Sequence, residues 1–219
     1  MVSPSASKEA RISPEHRAIP ENSPVHSGLE KPYTALSPVL GGFGVTLPAH
    51  LRARHMHLDP DFEHLTYGDV RERARQLRAN LGTGDWIVFY AGLSGGPRTE
   101  LVYAIIGLLV VEGFVLAADI PATDRDTNAH SRRVLEPGSR DLVVRGRPAV
   151  SGRLERCLPI GEYRDRAYRA RRDLLMEWGG LSVKDGYLQR SARLPRFLDP
   201  GRFLRWLEKQ GPVLRQQNN

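Results

Sequence analysis

The chain has 219 residues, of which 40% are hydrophobic and 26% charged, a balance typical of a globular protein with one domain. Its single cysteine, Cys157, excludes an internal disulfide and a cysteine-based zinc site. The net charge of +7 is uneven: residues 1–130 carry 12 basic and 15 acidic side chains, whereas residues 131–219 carry 20 basic and 10 acidic ones.

The N-terminal segment, residues 1–31, contains several prolines and few large apolar side chains, so we expect it to be extended or disordered. Its first part, Met1 to Pro14, is rich in serine and proline and has no apolar core of the kind that a signal peptide needs. The most apolar stretch, residues 101–118, is interrupted by Glu112 and Gly113, which predicts a buried strand rather than a membrane segment. We therefore expect a cytoplasmic protein with one α+β domain over residues 32–219.

The elements of this domain follow in chain order. Asp69, with Glu72 three residues later, has the spacing of a capping box and predicts a helix over about residues 70–80. The apolar runs at 84–90 and 101–111 predict two antiparallel strands, with a bulge at Gly107. The other predicted elements are strands at 44–47, 141–145 and 154–160, a helix over 165–178, and a helix from Asp199-Pro200 to Gly211. The total is a small mixed, mainly antiparallel sheet with about three flanking helices.

Histidines and aspartates are concentrated in one short segment, at His50, His55, His57, Asp59, Asp61 and His64. On a strand, His55-x-His57 would place both rings on one face, where Asp59 or Asp61 could complete a metal site. The alternative is that Asp59-Pro60-Asp61 forms a turn and the histidines are packing residues. Because no helical His-x-x-x-His pattern supports the first interpretation, the sequence predicts no metal and no cofactor.

Two groups of residues have the chemistry to contact a nucleotide. The segment Asn128-Ala129-His130-Ser131-Arg132-Arg133 combines an amide and an imidazole, which can bond a base edge, with two guanidiniums for phosphate. The alternative is a helix cap followed by two solvated arginines. Trp86 and Tyr90 share a face of the predicted strand and could stack a base, although core packing is the default explanation for such residues.

Several segments together resemble a known family. They are Ala18-Ile19-Pro20-Glu21, His57-Leu58-Asp59-Pro60-Asp61-Phe62, Thr66-Tyr67-Gly68-Asp69, the run from Gly84 to Leu93, Asn128-Ala129-His130 and Leu188-Gln189-Arg190-Ser191. Over roughly residues 15–205 the chain resembles the nucleotide modification associated domain family, third type, which was first described through gene neighbourhoods of DNA base-modification systems. That resemblance implies either a reader of modified nucleotides or a modifying enzyme.

The run from Gly84 to Tyr90, followed by an apolar strand with a central glycine, also resembles PUA-like modules such as the EVE, ASCH and YTH groups. Those modules are small β-barrels that hold a modified base in an aromatic-lined pocket. This resemblance implies a PUA-like β-barrel as the alternative fold.

Three functions remain open on the sequence. The leading hypothesis is a nucleic-acid-binding module that recognises a modified or flipped nucleotide in DNA or RNA, using Trp86, Tyr90, Asn128, His130, Arg132 and Arg133, with further phosphate contacts from the Arg164–Arg172 run. The second is an enzyme that modifies a nucleotide or a base, with working groups among Asp59, Asp61, Tyr67 and Asp69. The third is a basic subunit that binds an acidic protein.

Overall fold

The computed structural model describes residues 10–15, 19–42, 44–93, 101–188 and 194–218. The strands are β1 (Ala10–Glu15), β2 (Ile19–Pro20), β3 (Met56–His57), β4 (Thr66–Asp69), β5 (Trp86–Leu93), β6 (Val102–Leu116), β7 (Leu142–Gly146), β8 (Gly152–Pro159), β9 (Gly161–Arg164), β10 (Ala167–Ala170) and β11 (Leu214–Arg215). The helices are α1 (Ser37–Gly42), α2 (Arg71–Asn80), α3 (Ala129–Arg132), α4 (Arg172–Trp178) and α5 (Pro200–Lys209).

A seven-stranded, mainly antiparallel sheet is the scaffold, with the order β1-β5-β6-β7-β4 and with β8 and β11 attached beside β6. Strand β6 has 15 residues, and it pairs with β5 on one edge and with β8 and then β7 on the other. The described strands form an open sheet rather than a closed barrel. The expected α+β fold is therefore confirmed, and the alternative, a PUA-like β-barrel, is not formed by the described strands. None of the described helices is long and apolar enough to cross a membrane.

The two faces of the sheet bury two separate apolar cores. Val88 and Tyr90 of β5 belong to the core that also holds Trp178 of α4 and Phe203 of α5. Alternate residues of the same strand, together with Leu77 of α2, belong to the second core. This alternation follows from the period-two geometry of a strand.

The predicted helix over 70–80 and the strand pairing of β5 with β6 are confirmed. The helix predicted over 165–178 is wrong in its first half, because β9 and β10 form a hairpin whose turn residues, Asp165 and Arg166, have φ of 50° and 60°. The strand predicted at 44–47 is absent from the structure, and Gly44 adopts a φ of +67° there. Asp69 does not cap α2: its carboxylate accepts hydrogen bonds from the Tyr67 hydroxyl and the Val70 N–H.

The N-terminal segment contributes to the domain. Residues 10–15 pair in parallel with β5, and residues 19–20 pair antiparallel with β3. The Glu21 N–H donates to the carbonyl of His55 at 2.9 Å, which fixes the chain beside β3. Glu21 is thereby placed next to His57.

Gly107 is required by close packing rather than by its backbone angles. A Cβ built there would lie 2.4 Å from the Phe62 ring and 2.7 Å from the carbonyl oxygen of Gly152. We predict that Gly107→Ala lowers the free energy of unfolding by about 1–3 kcal/mol, because the closed core has no room for a methyl group. Urea denaturation measures this loss.

Gly113→Ala on the same strand is the matched control, since a Cβ there meets nothing within 4 Å. Its unfolding free energy should change by no more than about 0.5 kcal/mol. Equal effects of the two substitutions would contradict the packing at Gly107.

Candidate functional site

Six polar side chains from distant parts of the sequence meet beside β4 and α3. We call His57, Asp59 and His130 the centre, and Glu21, Arg133 and Asp141 the flanking groups. The side chains of the centre are 16%, 6% and 5% exposed, respectively. Burial of so many ionisable groups is costly unless each is paired, so the contacts of each group matter.

The loop before β4 positions Asp59. Asp59 lies two residues after His57 at the end of β3, and a cis peptide bond joins it to Pro60. Its Oδ1 accepts hydrogen bonds from the Gly68 N–H at 2.8 Å and from the Asn128 amide at 3.0 Å. A Cβ at Gly68 would lie 2.1 Å from the His130 ring, so only glycine lets β4 pass this close.

Asn128 holds the turn that presents His130. Its Oδ1 caps α3 by accepting from the His130 N–H at 2.8 Å, while its Nδ2 donates to Asp59 and to the Thr66 hydroxyl at 3.1 Å. Because the side chain is fully buried and its amide already makes these three bonds, it has little capacity left to read a base edge.

Both imidazoles of the centre are oriented by carboxylates. The Nδ1 of His130 lies 2.8 Å from Asp141, and the Nδ1 of His57 lies 2.6 Å from Glu21. Arg133 connects the two pairs, since its guanidinium is 3.1 Å from Glu21 and 3.8 Å from Asp141. A carboxylate at Nδ1 fixes the orientation of each ring and turns its Nε2 away from that carboxylate. At His57 the Arg133 guanidinium, a donor, also lies 3.1 Å from Nδ1, so a donor and an acceptor both face that atom.

The remaining atoms of the centre face one another without bonding. The Nε2 of His130 is 3.8 Å from Oδ2 of Asp59, which is longer than a hydrogen bond. The two imidazole rings meet edge to face, with centroids 5.2 Å apart and planes at 77°. One ligand atom from each of the three residues lies within 4.8 Å of the others, so the centre could hold a metal ion.

The electrostatics of the inner and flanking carboxylates differ. Burial raises the pKa of Asp59, although the charges of His130 and His57 and two hydrogen bonds act in the opposite direction. Burial alone would also raise the pKa of Glu21, but hydrogen bonds from His57, the Ser23 N–H and Arg133 outweigh it and lower that pKa to about 2. The flanking carboxylate is therefore anionic at neutral pH.

The pKa of Asp141 is lowered, as is that of Glu21. Burial alone would raise its pKa, but hydrogen bonds from His130 and Ser139 and the charge of Arg133 lower it overall. The two imidazoles are thus backed by two charged carboxylates.

An open cleft of about 690 Å³ adjoins the flanking groups. Arg133 and Asp141 form part of its wall, so a molecule in the cleft would touch the side chains that hold the two imidazoles. Arg71 and Arg140 also line it, and both are exposed. The volume is in the range of small-molecule sites.

Of the four catalytic candidates from the sequence, only Asp59 belongs to the centre. Asp61 is fully buried and forms an ion pair with Arg132 at 2.5 Å. Tyr67 is 3% exposed and its hydroxyl donates to Asp69 at 2.6 Å. The contacts of these three residues hold the fold around Asp59.

The candidates for nucleic-acid binding are not brought together as one pocket. Tyr90 is a core residue rather than an open stacking surface: it is 1% exposed, and its hydroxyl donates to the carbonyl of Leu188. Trp86 is half-buried against the same core, on the face of β5 opposite to Phe89. Arg132 is 3% exposed and paired with Asp61 and Asp126, so it does not reach solvent. Of this group, His130 belongs to the centre, Arg133 to the flanking groups, and Asn128 is a buried hydrogen-bond partner of Asp59.

Sequence reasoning missed Glu21 and Asp141 and did not select His57 as a site residue. His55, which it grouped with His57, is exposed and outside the centre. The available signal was His57-x-Asp59, a spacing that places two ligand types on one side of an extended segment. The flanking carboxylates gave no local signal, because they are 36 residues from His57 and 11 residues from His130 along the chain.

Comparison with protein families shows to which family the chain belongs. The model of a family described as Nucleotide modification associated domain 3 matches residues 14–201, which include every residue of the centre and the flanking groups. No curated protein and no solved structure matches the chain.

The buried ion pair of Arg132 with Asp61 can be tested as part of the structure that holds the fold around the centre. We predict that Arg132→Met lowers the free energy of unfolding by about 3–5 kcal/mol, because it leaves the buried Asp61 carboxylate without its cation. Chemical denaturation followed by far-UV circular dichroism measures the loss.

Arg75→Met is the matched control, because it removes an exposed pair with Glu72 on α2. It should leave the denaturation midpoint nearly unchanged, since surface ion pairs contribute little. If Arg132→Met were no more destabilised than Arg75→Met, the buried ion pair would not stabilise the fold around the centre.

Proposed function

Because the chain belongs to the Nucleotide modification associated domain 3 family, we propose that it is an enzyme that modifies a nucleotide or a base in DNA or RNA. The observation that carries this proposal is the centre itself. Two imidazoles and a carboxylate lie close to one another without a hydrogen bond between His130 and Asp59. The flanking carboxylates hold the two imidazoles, and Gly68 and Asn128 hold Asp59.

The Oδ2 of Asp59 and the Nε2 of His130 are 3.8 Å apart, which is beyond hydrogen-bond distance. Groups held apart in this way are available to a substrate or an ion, and such arrangements concentrate at functional sites.

The adjoining cleft suits a phosphorylated substrate. Arg71 and Arg140 provide positive charge on its rim, and arginine binds phosphate oxygens in bidentate fashion. With the phosphate at these residues, the rest of a nucleotide would extend along the wall formed by Arg133 and Asp141. The family points to a nucleotide as the substrate, and the centre contains the groups that would react with it.

A nucleic-acid-binding module that recognises a modified or flipped nucleotide is the second candidate. The basic composition of residues 131–219 favours it. The Arg164–Arg172 run contributes less than its charge suggests, because Arg164 is paired with Glu162 and Asp185, and Arg171 with Asp173. The exposed arginines of the cleft are the better phosphate contacts.

Catalysis is tested by mass analysis of the product. The full chain is incubated with nucleoside triphosphates and with single- and double-stranded DNA and RNA, unmodified or carrying a panel of modified bases, and the digested nucleosides are compared by mass spectrometry. We expect one substrate to change mass. We also expect Asp59→Asn and His130→Asn to reduce product by at least about 100-fold, in the range of lost acid–base or metal catalysis.

The control for this assay is Asp173→Asn, which removes an exposed carboxylate on α4 and should retain full turnover. An unchanged substrate panel, or turnover that survives both substitutions in the centre, would refute the enzymatic proposal.

Nucleic-acid binding is tested by its dependence on salt. If Arg71 and Arg140 contact phosphates, Arg71→Asn and Arg140→Ser should each reduce the slope of log K against log salt concentration by about 1. Arg205→Ser on α5, an exposed arginine that does not line the cleft, is the control and should leave the slope unchanged. Equal slopes for all four proteins would place any phosphate contacts elsewhere.

A further inference from the structure

We propose that the centre binds a divalent first-row transition metal ion, with one nitrogen from each of His57 and His130 and one carboxylate oxygen of Asp59 as ligands. The inference rests on the proposed function, because it names the ion that would act at the same site. It revises the sequence interpretation, which predicted no metal.

The ligand atoms of the centre converge within the span of one metal ion. Metal bonds to imidazole nitrogen and carboxylate oxygen are about 2.0–2.2 Å long, so two ligand atoms on one ion are at most about 4.2 Å apart. The His130 Nε2 and the Asp59 Oδ2 are 3.8 Å apart, which is inside this limit. The three ligand atoms lie within 4.8 Å of one another, so a small inward movement closes the set.

Each imidazole of the centre has a carboxylate at its Nδ1. Histidines that bind metals almost always donate their other ring N–H to a carboxylate, a carbonyl or water. Here Asp141 lies at Nδ1 of His130 and Glu21 at Nδ1 of His57, where the Arg133 guanidinium is a further contact. Two such histidine–carboxylate pairs beside one aspartate are the arrangement that a set of metal ligands needs.

The alternative to a metal ion is a network of ion pairs, in which the two imidazoles and the Arg133 guanidinium face the carboxylates of Glu21, Asp59 and Asp141.

The donor set selects the class of metal. Two imidazoles and one carboxylate suit Zn²⁺, Fe²⁺ or Co²⁺, whereas Mg²⁺ and Ca²⁺ prefer oxygen ligands alone. Three protein ligands also leave coordination positions for water or substrate, which is the pattern of catalytic rather than structural sites.

The test is titration of the metal-free full chain with ZnCl₂ by calorimetry and with CoCl₂ by visible absorption. We expect one ion per chain, and a melting temperature that rises with zinc concentration. His57→Ala, Asp59→Ala and His130→Ala should each weaken binding by more than about 100-fold, whereas Glu21→Gln and Asp141→Asn should weaken it by about 10–100-fold.

His55→Ala is the matched control, because it removes an exposed histidine only two residues from His57. It should bind zinc like the parent chain. Wild-type protein that binds neither ion below about 100 μM would overturn the proposal and support the ion-pair network. Equal weakening in His55→Ala and His57→Ala would also overturn it. Because the wild-type titration needs no variant, a ligand variant that fails to fold does not decide the result.

Failure of the metal proposal and failure of the proposed function have different signatures. One bound ion without any change in the nucleotide panel would support the metal site and count against the enzyme. Protein that binds neither ion in the titration but still converts a substrate would support the enzyme and overturn the metal site.

Discussion

The burial of the Asp59 carboxylate is the constraint on which the rest of the site depends. A carboxylate that is removed from water needs hydrogen bonds or opposite charges from the protein. Without them, its burial destabilises the fold by roughly several kcal/mol. Here the Gly68 N–H and the Asn128 amide satisfy one oxygen, and the other oxygen faces two imidazoles. Residue 68 must be glycine because the His130 ring leaves no room for a Cβ. Asn128 is held in place because its side chain caps α3.

The fold assembles this site from segments that are far apart in the sequence, and the sheet makes their meeting possible. Strand β4 carries Gly68 and pairs with β7, which follows Asp141. The short pair β2–β3 brings Glu21 to His57. An enzyme needs reactive groups that are held rigidly beside a cleft. Here Glu21 and Asp141 hold the two imidazoles, and Arg133 in turn contacts both carboxylates, which provides that rigidity. The same arrangement places a pair of imidazoles and a carboxylate where an ion can be shared.

Local pattern was enough to predict much of the fold, because a capping aspartate before proline, an apolar β-branched run and a glycine in a strand each act over a few residues. The helix at Asp199-Pro200 and the pairing of β5 with β6 are examples. The hairpin β9–β10 was mistaken for helix because its turn needs two residues with positive φ, which neither Asp165 nor Arg166 signals. At the site, His130 and Asp59 could be selected from their residue types. Their partners Asp141 and Glu21 could not, since only tertiary pairing brings them near.

The central claim is that the centre holds a metal ion, and the most direct measurement is anomalous diffraction at the zinc absorption edge from crystals of the full chain soaked in ZnCl₂. The account predicts one strong peak bonded to His57, Asp59 and His130, with Glu21 and Asp141 still bonded to the two imidazoles. No peak at these residues, or a peak confined to exposed histidines such as His50 and His55, would contradict it.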